Sequence, residues 1–302
     1  MDHLREVLFR GCQTGGGDVT KSVALGVLSF SVVSMQVGCG AKERAESQLK
    51  QSMTIINGDM VLAGDPIAAS TVALYYNDQR SDRTTPICTG TVIGRRTILS
   101  AAHCFVDVAT SQKTTIEELA TKLSVGFGVE IVASQRDPAV QFRAIESVDV
   151  HPNYKMNALA AAGAGEELDD VSIIHLSEDI PLSATVVSLS NDASVLEKGK
   201  VLDIAGYGVT KGGVNSVHAT HLNRTQITID EPNVNPTQFS YNVIGGHSAC
   251  SGDSGGPAYT HDDNGKLVVV GVTSWGDGEC KEVGVYTSVA SLHDWIQSKT
   301  IH

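Results

Sequence analysis

The chain has 302 residues, 41% of them hydrophobic and 19% charged, and a formal net charge of −12. That is enough apolar material for one large domain or two closely packed barrels. The acidic excess falls on residues 55–302, with 16 Lys/Arg against 29 Asp/Glu, which argues against nucleic acid or an anionic membrane surface as partners of the folded part.

The first element along the chain is an apolar run, Val23 to Val37, interrupted by Gly, Ser and Gln and preceded by Lys21. Its length suits the core of an export signal better than a membrane span. It ends at Val37-Gly38-Cys39-Gly40, and a cysteine after a small residue at that place resembles a bacterial lipoprotein cleavage site. Lipidation of Cys39 is the expectation, although Gln36 stands where that motif prefers Leu. Ordinary signal cleavage and an uncleaved anchor are the competing readings. The stretch before Lys21 is long for such a signal, which suggests a translation start near Val19. Cys12 then lies outside the folded part on any reading. Residues 1–38 read as a signal segment and 39–54, polar and small, as a tether or propeptide.

From Ile55 the texture changes to short β-rich runs between turns, among them Thr71–Tyr76, Thr97–Ser100, Leu123–Val132, Val201–Ala205, Thr225–Ile229 and Leu267–Ser274. The pattern is all-β. Helix is expected at Thr114–Lys122 and at Ser291–Ser298, where Leu292, Trp295 and Ile296 share one side.

Ser254 lies in Gly252-Asp253-Ser254-Gly255-Gly256-Pro257, shortly after Cys250. A serine hydroxyl becomes a useful nucleophile when a base takes its proton and backbone N–H groups hold the resulting oxyanion. Flanking glycines allow the tight turn that aims those groups. Most Gly- and Ser-rich turns are only turns, but candidate partners stand upstream. They are His103 in Leu99-Ser100-Ala101-Ala102-His103-Cys104 and Asp170 in Asp169-Asp170-Val171-Ser172-Ile173-Ile174. His, Asp, Ser is one of the chain orders in which a serine triad occurs.

These blocks stand in order with Ile55-Ile56-Asn57-Gly58, Gly206-Tyr207-Gly208, Ser274-Trp275-Gly276 and Gly284-Val285-Tyr286. The chain therefore resembles the trypsin/chymotrypsin family of serine endopeptidases, as a bacterial secreted or lipoprotein member, over about residues 55 to 300. The resemblance implies two packed six-stranded antiparallel Greek-key barrels, about 55–180 and 181–290, a closing helix at 291–298, and an active site in the cleft between the barrels. It makes Ser254 the nucleophile, His103 the general base and then acid, and Asp170 the group that orients the imidazole. Gly252 and Ser254 supply the oxyanion N–H groups, Ser274 bonds Asp170, and Asp169 is a solvated loop carboxylate. Cys88–Cys104 and Cys250–Cys280 match family disulfides, and a further family bridge is lost as a pair at Leu202 and Thr260. Disulfides and an export signal place the protein outside the cytoplasm, secreted or lipid-anchored at the cell envelope.

The resemblance further implies a zymogen cut between Thr54 and Ile55, after which the new ammonium pairs with Asp253. Thr54 is not basic, so the activating protease is not trypsin-like, unless a cut at Lys50 is trimmed later. Ser248 falls at the base of the primary pocket, with Ala249, Ser274, Trp275, Gly276 and Gly284 around it. Without an Asp at the base, the expected side chain before the scissile bond is apolar or aromatic, although Asp277 or Glu279 at the rim offers a rival contact for a cation. The acidic insertion Ala158–Glu167 is expected to narrow the cleft, with Glu166 and Glu167 favouring basic side chains a few residues before the cut. Thr89 stands where the family usually has glycine. The expected partners are polypeptide substrates, an activating protease and protein inhibitors. No cofactor or metal is expected, and His218 and His221 read as a surface pair. The alternative from another class is a non-catalytic binding module on the same fold, but such members generally lack a triad residue.

Overall fold

The structure is a computed structural model that describes residues 55–78, 83–154, 168–213 and 215–300. The signal segment 1–38, the tether 39–54 with Cys39, and the acidic insertion Ala158–Glu167 lie outside the described residues.

Six antiparallel strands close a barrel in the order Thr71–Asn77, Thr84–Gly94, Thr97–Ser100, Ser172–Leu176, Gln141–Val150 and Leu123–Phe127. Thr71 to Tyr75 are buried without alternation. A strand covered on both faces reads as a continuous apolar run, and here a second sheet supplies the other cover. Leu123 starts a strand as expected, but it stops at Phe127, because Gly128 turns with φ +154° and gives its carbonyl to the Tyr207 hydroxyl at 2.6 Å. Gln141–Val150 has no clean alternation of burial and was not foreseen; pairing on both edges holds it.

The second sheet runs Asp59–Met60, Asn223–Thr228, Val201–Gly206, Pro257–His261, Leu267–Gly276, Val283–Ser288, Gln238–Asn242 and Glu231–Asn235. Ser188–Leu189 adds a parallel pair to Leu267–Gly276, which makes nine strands. The mostly-β architecture is consistent with the expected two-barrel fold. Residues 55–60, expected with the first barrel, attach to the second sheet: Asp59 and Met60 pair with Arg224 and Asn223, and Ile56 bridges Ser248. Ile55 is fully buried in the second core beside Leu202, Ile204, Phe239, Tyr241 and Tyr286. Tyr259 pairs with Asp203, which sets Thr260 beside Leu202, and Leu202 packs there as a buried apolar side chain. The Cys88–Cys104 and Cys250–Cys280 disulfides are both formed.

Among the described residues four short helices decorate the sheets. Asp65 caps Pro66–Ser70 by accepting from Ile67 N at 2.9 Å, with Pro66 in the first turn where its missing N–H costs nothing. Thr115 caps Ile116–Ala120, inside the expected 114–122 span, and Glu117 and Glu118 complement its N-terminal dipole. The C-terminal helix is His293–Lys299, preceded by a 3-10 turn at Ala290–Leu292 and seated by fully buried Ile296. His103–Ser111 was not foreseen as helix.

Candidate active site

His103 is the first residue of the helix His103–Ser111, and Ala102 before it offers no side-chain cap. The cap comes from a distant residue. Asp170 Oδ1 accepts from His103 N at 3.0 Å, placing a carboxylate on the positive end of the helix. Asp170 Oδ2 lies 2.8 Å from His103 Nδ1 and accepts from Ser274 Oγ at 2.6 Å. Three donors thus converge on one fully buried carboxylate. Burial by itself pushes Asp170 up, but the facing His103, its two hydrogen bonds and that of Ser274 outweigh it and hold the group below the usual carboxylate value. The ionised carboxylate must accept, so Nδ1 carries the proton and the Nε2 lone pair is left as a base. Burial depresses His103, yet the charge of Asp170 prevails and raises it.

Ser274 reaches Asp170 through a backbone irregularity. Thr273 pairs with Tyr286 and Trp275 with Val285, so Ser274 is the extra residue of a β-bulge. Bulges re-aim side chains in this way. Gln238 Nε2 donates to Ser274 Oγ at 3.2 Å and orients its hydroxyl proton toward Asp170.

The peptides from Cys250 to Gly256 account for nearly all their polar groups. The carbonyls of Cys250, Ser251, Asp253 and Ser254 accept from Asp253 N, Val209 N, Gly256 N and Thr89 N at 2.8 to 2.9 Å. The Gly252 carbonyl accepts from Thr89 Oγ1 at 2.9 Å. Gly255 N donates to Thr273 O at 2.8 Å. Among the described residues, Gly252 N–H and Ser254 N–H engage no acceptor, and they flank the Ser254 side chain. Gly252 has φ +95°, and a Cβ there would lie 2.8 Å from Gly208 Cα, so only glycine fits. Cys104 Sγ lies 3.7 Å from Ser254 O and 3.9 Å from His103 Nε2, which sets Ser254 beside the imidazole. No hydrogen bond joins Ser254 Oγ to Nε2 in this structure. Such bonds tighten when substrate is held. His103 also approaches Cys88 and Cys104, but those sulfurs form a disulfide and offer no thiolate to a metal.

Asp253, 1% exposed, accepts from Gly208 N and Cys250 N, each at 2.8 Å. No cation reaches it among the described residues. Burial pushes its carboxyl up to about 7 against the pull of the two N–H groups.

A cavity of about 150 Å³ opens beside Ser254, lined by Ala249, Ser274, Trp275, Gly276, Gly284 and, unforeseen, Tyr241. Ser248 is not at its surface. Ala249 N donates to the Tyr241 hydroxyl at 3.0 Å, that hydroxyl lies 3.0 Å from Ser248 Oγ, and Ser248 Oγ donates to Ala249 O at 2.8 Å. The ring of bonds closes with Tyr241 donating to Ser248, and Ser248 sits behind it, 1% exposed. The space beside Gly284 is likewise taken: a Cβ there would meet the Tyr241 ring at 2.3 Å. Tyr241 fills the space behind Gly284 from the neighbouring strand, and a Cβ at Gly276 would strike Val283 O at 2.7 Å. Asp277 also lines the cavity, and its carboxylate accepts from the N–H groups of Glu279, Lys281, Glu282 and Val283, which winds the rim turn around it. Glu279 pairs with Lys281 at 2.5 Å.

Asp169 is also corrected. It is 2% exposed rather than solvated, with His151 Nδ1 at 3.2 Å and Asn153 Nδ2 donating at 2.9 Å. Its neighbour Asp170 turns to His103 instead, so the two carboxylates meet different histidines. Tyr241 was missed because its role depends on the strand that packs against it; its sequence signal is only a phenol in a β run.

The family model described as Trypsin matches residues 55–296. Among curated proteins, the chain is 27% identical to Suppressor of tumorigenicity 14 protein homolog of Bos taurus, over 70% of this chain and 25% of that protein. It is 29% identical to Transmembrane protease serine 11G of Mus musculus, over 71% of this chain and 49% of that protein. With Chymotrypsin of Phaedon cochleariae it shares 26% identity over 84% of both chains. The chain thus spans about a quarter to a half of the length of the first two relatives. Among the described residues no helix is long and apolar enough to cross a membrane.

Proposed function

Because this chain belongs to the trypsin family, we propose that it is a serine endopeptidase, made as a zymogen and exported, which cleaves peptide bonds through Ser254, His103 and Asp170. The observation that carries the reading is the buried Asp170–His103 contact of 2.8 Å beside a loop in which the N–H groups of Gly252 and Ser254 itself engage no acceptor. His103 Nε2 takes the Ser254 proton as Oγ attacks the scissile carbonyl. The oxyanion forms between Gly252 N–H and Ser254 N–H, donors worth about 3 kcal/mol each in such sites. The imidazolium, stabilised by Asp170, returns its proton to the leaving amine, and the acyl group stays on Oγ. A water then gives its proton to His103 and its oxygen to the acyl carbon, which releases the acid and restores the serine.

Activation is a cut between Thr54 and Ile55. Two observations support it: Ile55 is already buried in the second core, and Asp253 is buried with only N–H partners. A new ammonium at Ile55 supplies the missing cation. Pairing raises its affinity for the proton above the unpaired value of ~8, so the contribution is full below that value and is lost as pH rises through the raised one.

The primary pocket takes an apolar side chain or a compact aromatic one. Its base ring of Tyr241, Ser248 and Ala249 offers only neutral hydroxyl and carbonyl groups already engaged with one another, and no carboxylate to offset the desolvation of a guanidinium. Burying an apolar side chain there is worth ~2–3 kcal/mol. Two disulfides and the named families of the relatives support action outside the cytoplasm, with membrane attachment only through a lipid at Cys39. Polypeptide substrates, an activating protease of non-tryptic preference and protein inhibitors are the partners this reading implies. Labelling of the processed chain with a fluorophosphonate tests it: Ser254 is expected to carry the label, and a folded, processed chain that takes none would favour the binding-module alternative.

A further inference from the structure

We propose that the Thr89 hydroxyl is a positioning group for the oxyanion site, a clamp from the first barrel that fixes the Gly252 peptide in the second. The inference rests on the proteolytic reading and goes beyond it. Thr89 is fully buried and bonds the Ser254 loop at two points, with its methyl group packed toward Gly256. Its N–H donates to Ser254 O at 2.8 Å, its Oγ1 donates to Gly252 O at 2.9 Å, and its Cγ2 lies 3.0 Å from where a Gly256 Cβ would stand. The hydroxyl is itself oriented, because Tyr207 N donates to it at 3.2 Å and leaves its proton for Gly252. Tyr207 is next to Gly208, whose N–H holds Asp253. One hydroxyl therefore ties Gly252 to the strand end that holds the neighbouring carboxylate.

The consequence follows from the accounting of the loop. Every carbonyl from Cys250 to Ser254 has a partner, and the one at Gly252 is the one whose partner is a side chain. Gly252 is free to rotate about both backbone dihedrals. The preceding peptide is held at Ser251 O by Val209 N, and the following one at both ends, at Gly252 O by Thr89 Oγ1 and at Asp253 N by Cys250 O. Releasing the Thr89 anchor leaves the Gly252–Asp253 peptide on the single Asp253 N–Cys250 O bond, which loosens Gly252 and the aim of its N–H at the oxyanion. The glycine that the family usually carries at this position keeps the backbone bond to Ser254 O but has no hydroxyl to hold Gly252 O. The effect belongs to the transition state, where the oxyanion exists, and not to ground-state binding in the pocket.

The test compares Thr89→Val, Thr89→Ser and Thr89→Gly in the full chain after processing to Ile55. The readouts are kcat and KM on one chromogenic peptide and inhibition by a peptide boronate, whose tetrahedral adduct fills the oxyanion site. Thr89→Val is expected to lower kcat by about 10- to 100-fold, short of the loss of a whole donor, with KM held within about twofold. Boronate affinity falls in parallel. Thr89→Ser restores kcat to within about threefold, since its hydroxyl reaches Gly252 O. Thr89→Gly, which the family fold accommodates, repeats the Thr89→Val loss if valine disturbs folding. A Thr89→Val or Thr89→Gly enzyme with the parent kcat overturns the clamp, as does a Thr89→Ser enzyme as impaired as Thr89→Val. If the parent enzyme itself ignores both boronate and fluorophosphonate, the proteolytic reading fails and the clamp falls with it.

Discussion

Asp170 and Asp253 are buried to the same degree, 0% and 1% exposed, yet their affinities for a proton move in opposite directions. Burial raises both. At Asp170 a facing imidazole and three hydrogen bonds outweigh it. At Asp253 two peptide N–H groups do not, and the carboxyl rises to about 7. The difference teaches that partner charge, more than depth, decides the state of an interior carboxylate. One site has its partners in place before any processing. The other has only peptide N–H partners and no counter-charge among the described residues.

The largest effects come from breaking the assembled side. Ser254→Ala is expected to cost on the order of 10⁶ in kcat, the scale such nucleophiles show. Asp170→Asn is expected to cost about 10⁴-fold, because an amide can donate to Nδ1 and so favours the wrong tautomer of His103. Steady-state rates on a peptide substrate of the processed enzyme measure both, and a loss under tenfold in the folded Asn variant would remove Asp170 from its assigned role.

The next effect tests the unassembled side. Asp253 binds its proton more tightly folded than unfolded, so its contribution to stability is full below the unfolded value near 3.8 and is lost as pH rises through about 7. In an uncut chain kept inert by Ser254→Ala, urea unfolding should show stability falling across that window by a few kcal/mol at most. Adding Asp253→Asn should flatten that part of the profile, and an unchanged slope would mean that Asp253 is not the titrating group. Asp170, being lowered, contributes with the opposite sign, so the difference between the two chains is the quantity to read.

A smaller effect sharpens the comparison. Ser274→Ala removes one of the three donors on Asp170 and should lower kcat by about tenfold, the scale of one hydrogen bond to a charge. It should also let Asp170 drift up toward its ordinary value, which a pH–rate profile would register on the acid side. The smallest expected change is in selectivity. Tyr241→Ala empties the space beside Gly284, and the kcat/KM ratio for peptides with Trp against Leu before the cut should rise severalfold, on the order of what one pocket methylene discriminates. An unchanged ratio would show that Tyr241 does not set the pocket depth.

Much of this was legible along the chain because it is carried by short blocks. Thr97–Ser100 formed the expected strand to the residue, and the blocks around His103, Asp170 and Ser254 converge in space. The helix His103–Ser111 was not legible, because its cap is a carboxylate 67 residues away and no local residue announces it. Asp169 and Asp170 are identical neighbours in sequence, and only the strands around them decide that one meets His151 and the other His103. Along the chain Thr89 showed only as a departure from the family's glycine, since a hydroxyl in a strand has no stated direction until Gly252 is placed opposite it.

Residue type and order along one chain determined the family, the all-β class, the pairs of cysteines and which side chains have reactive chemistry, since these depend on local backbone freedom and on functional groups. Only the tertiary structure decided the direction of each proton: which nitrogen of His103 is held, which peptide N–H groups stay unengaged, what fills the pocket beside Gly284, and which buried carboxylate lacks a counter-charge. Those outcomes depend on distances between residues far apart in sequence, and electrostatics and hydrogen bonding in a buried site change steeply over an ångström.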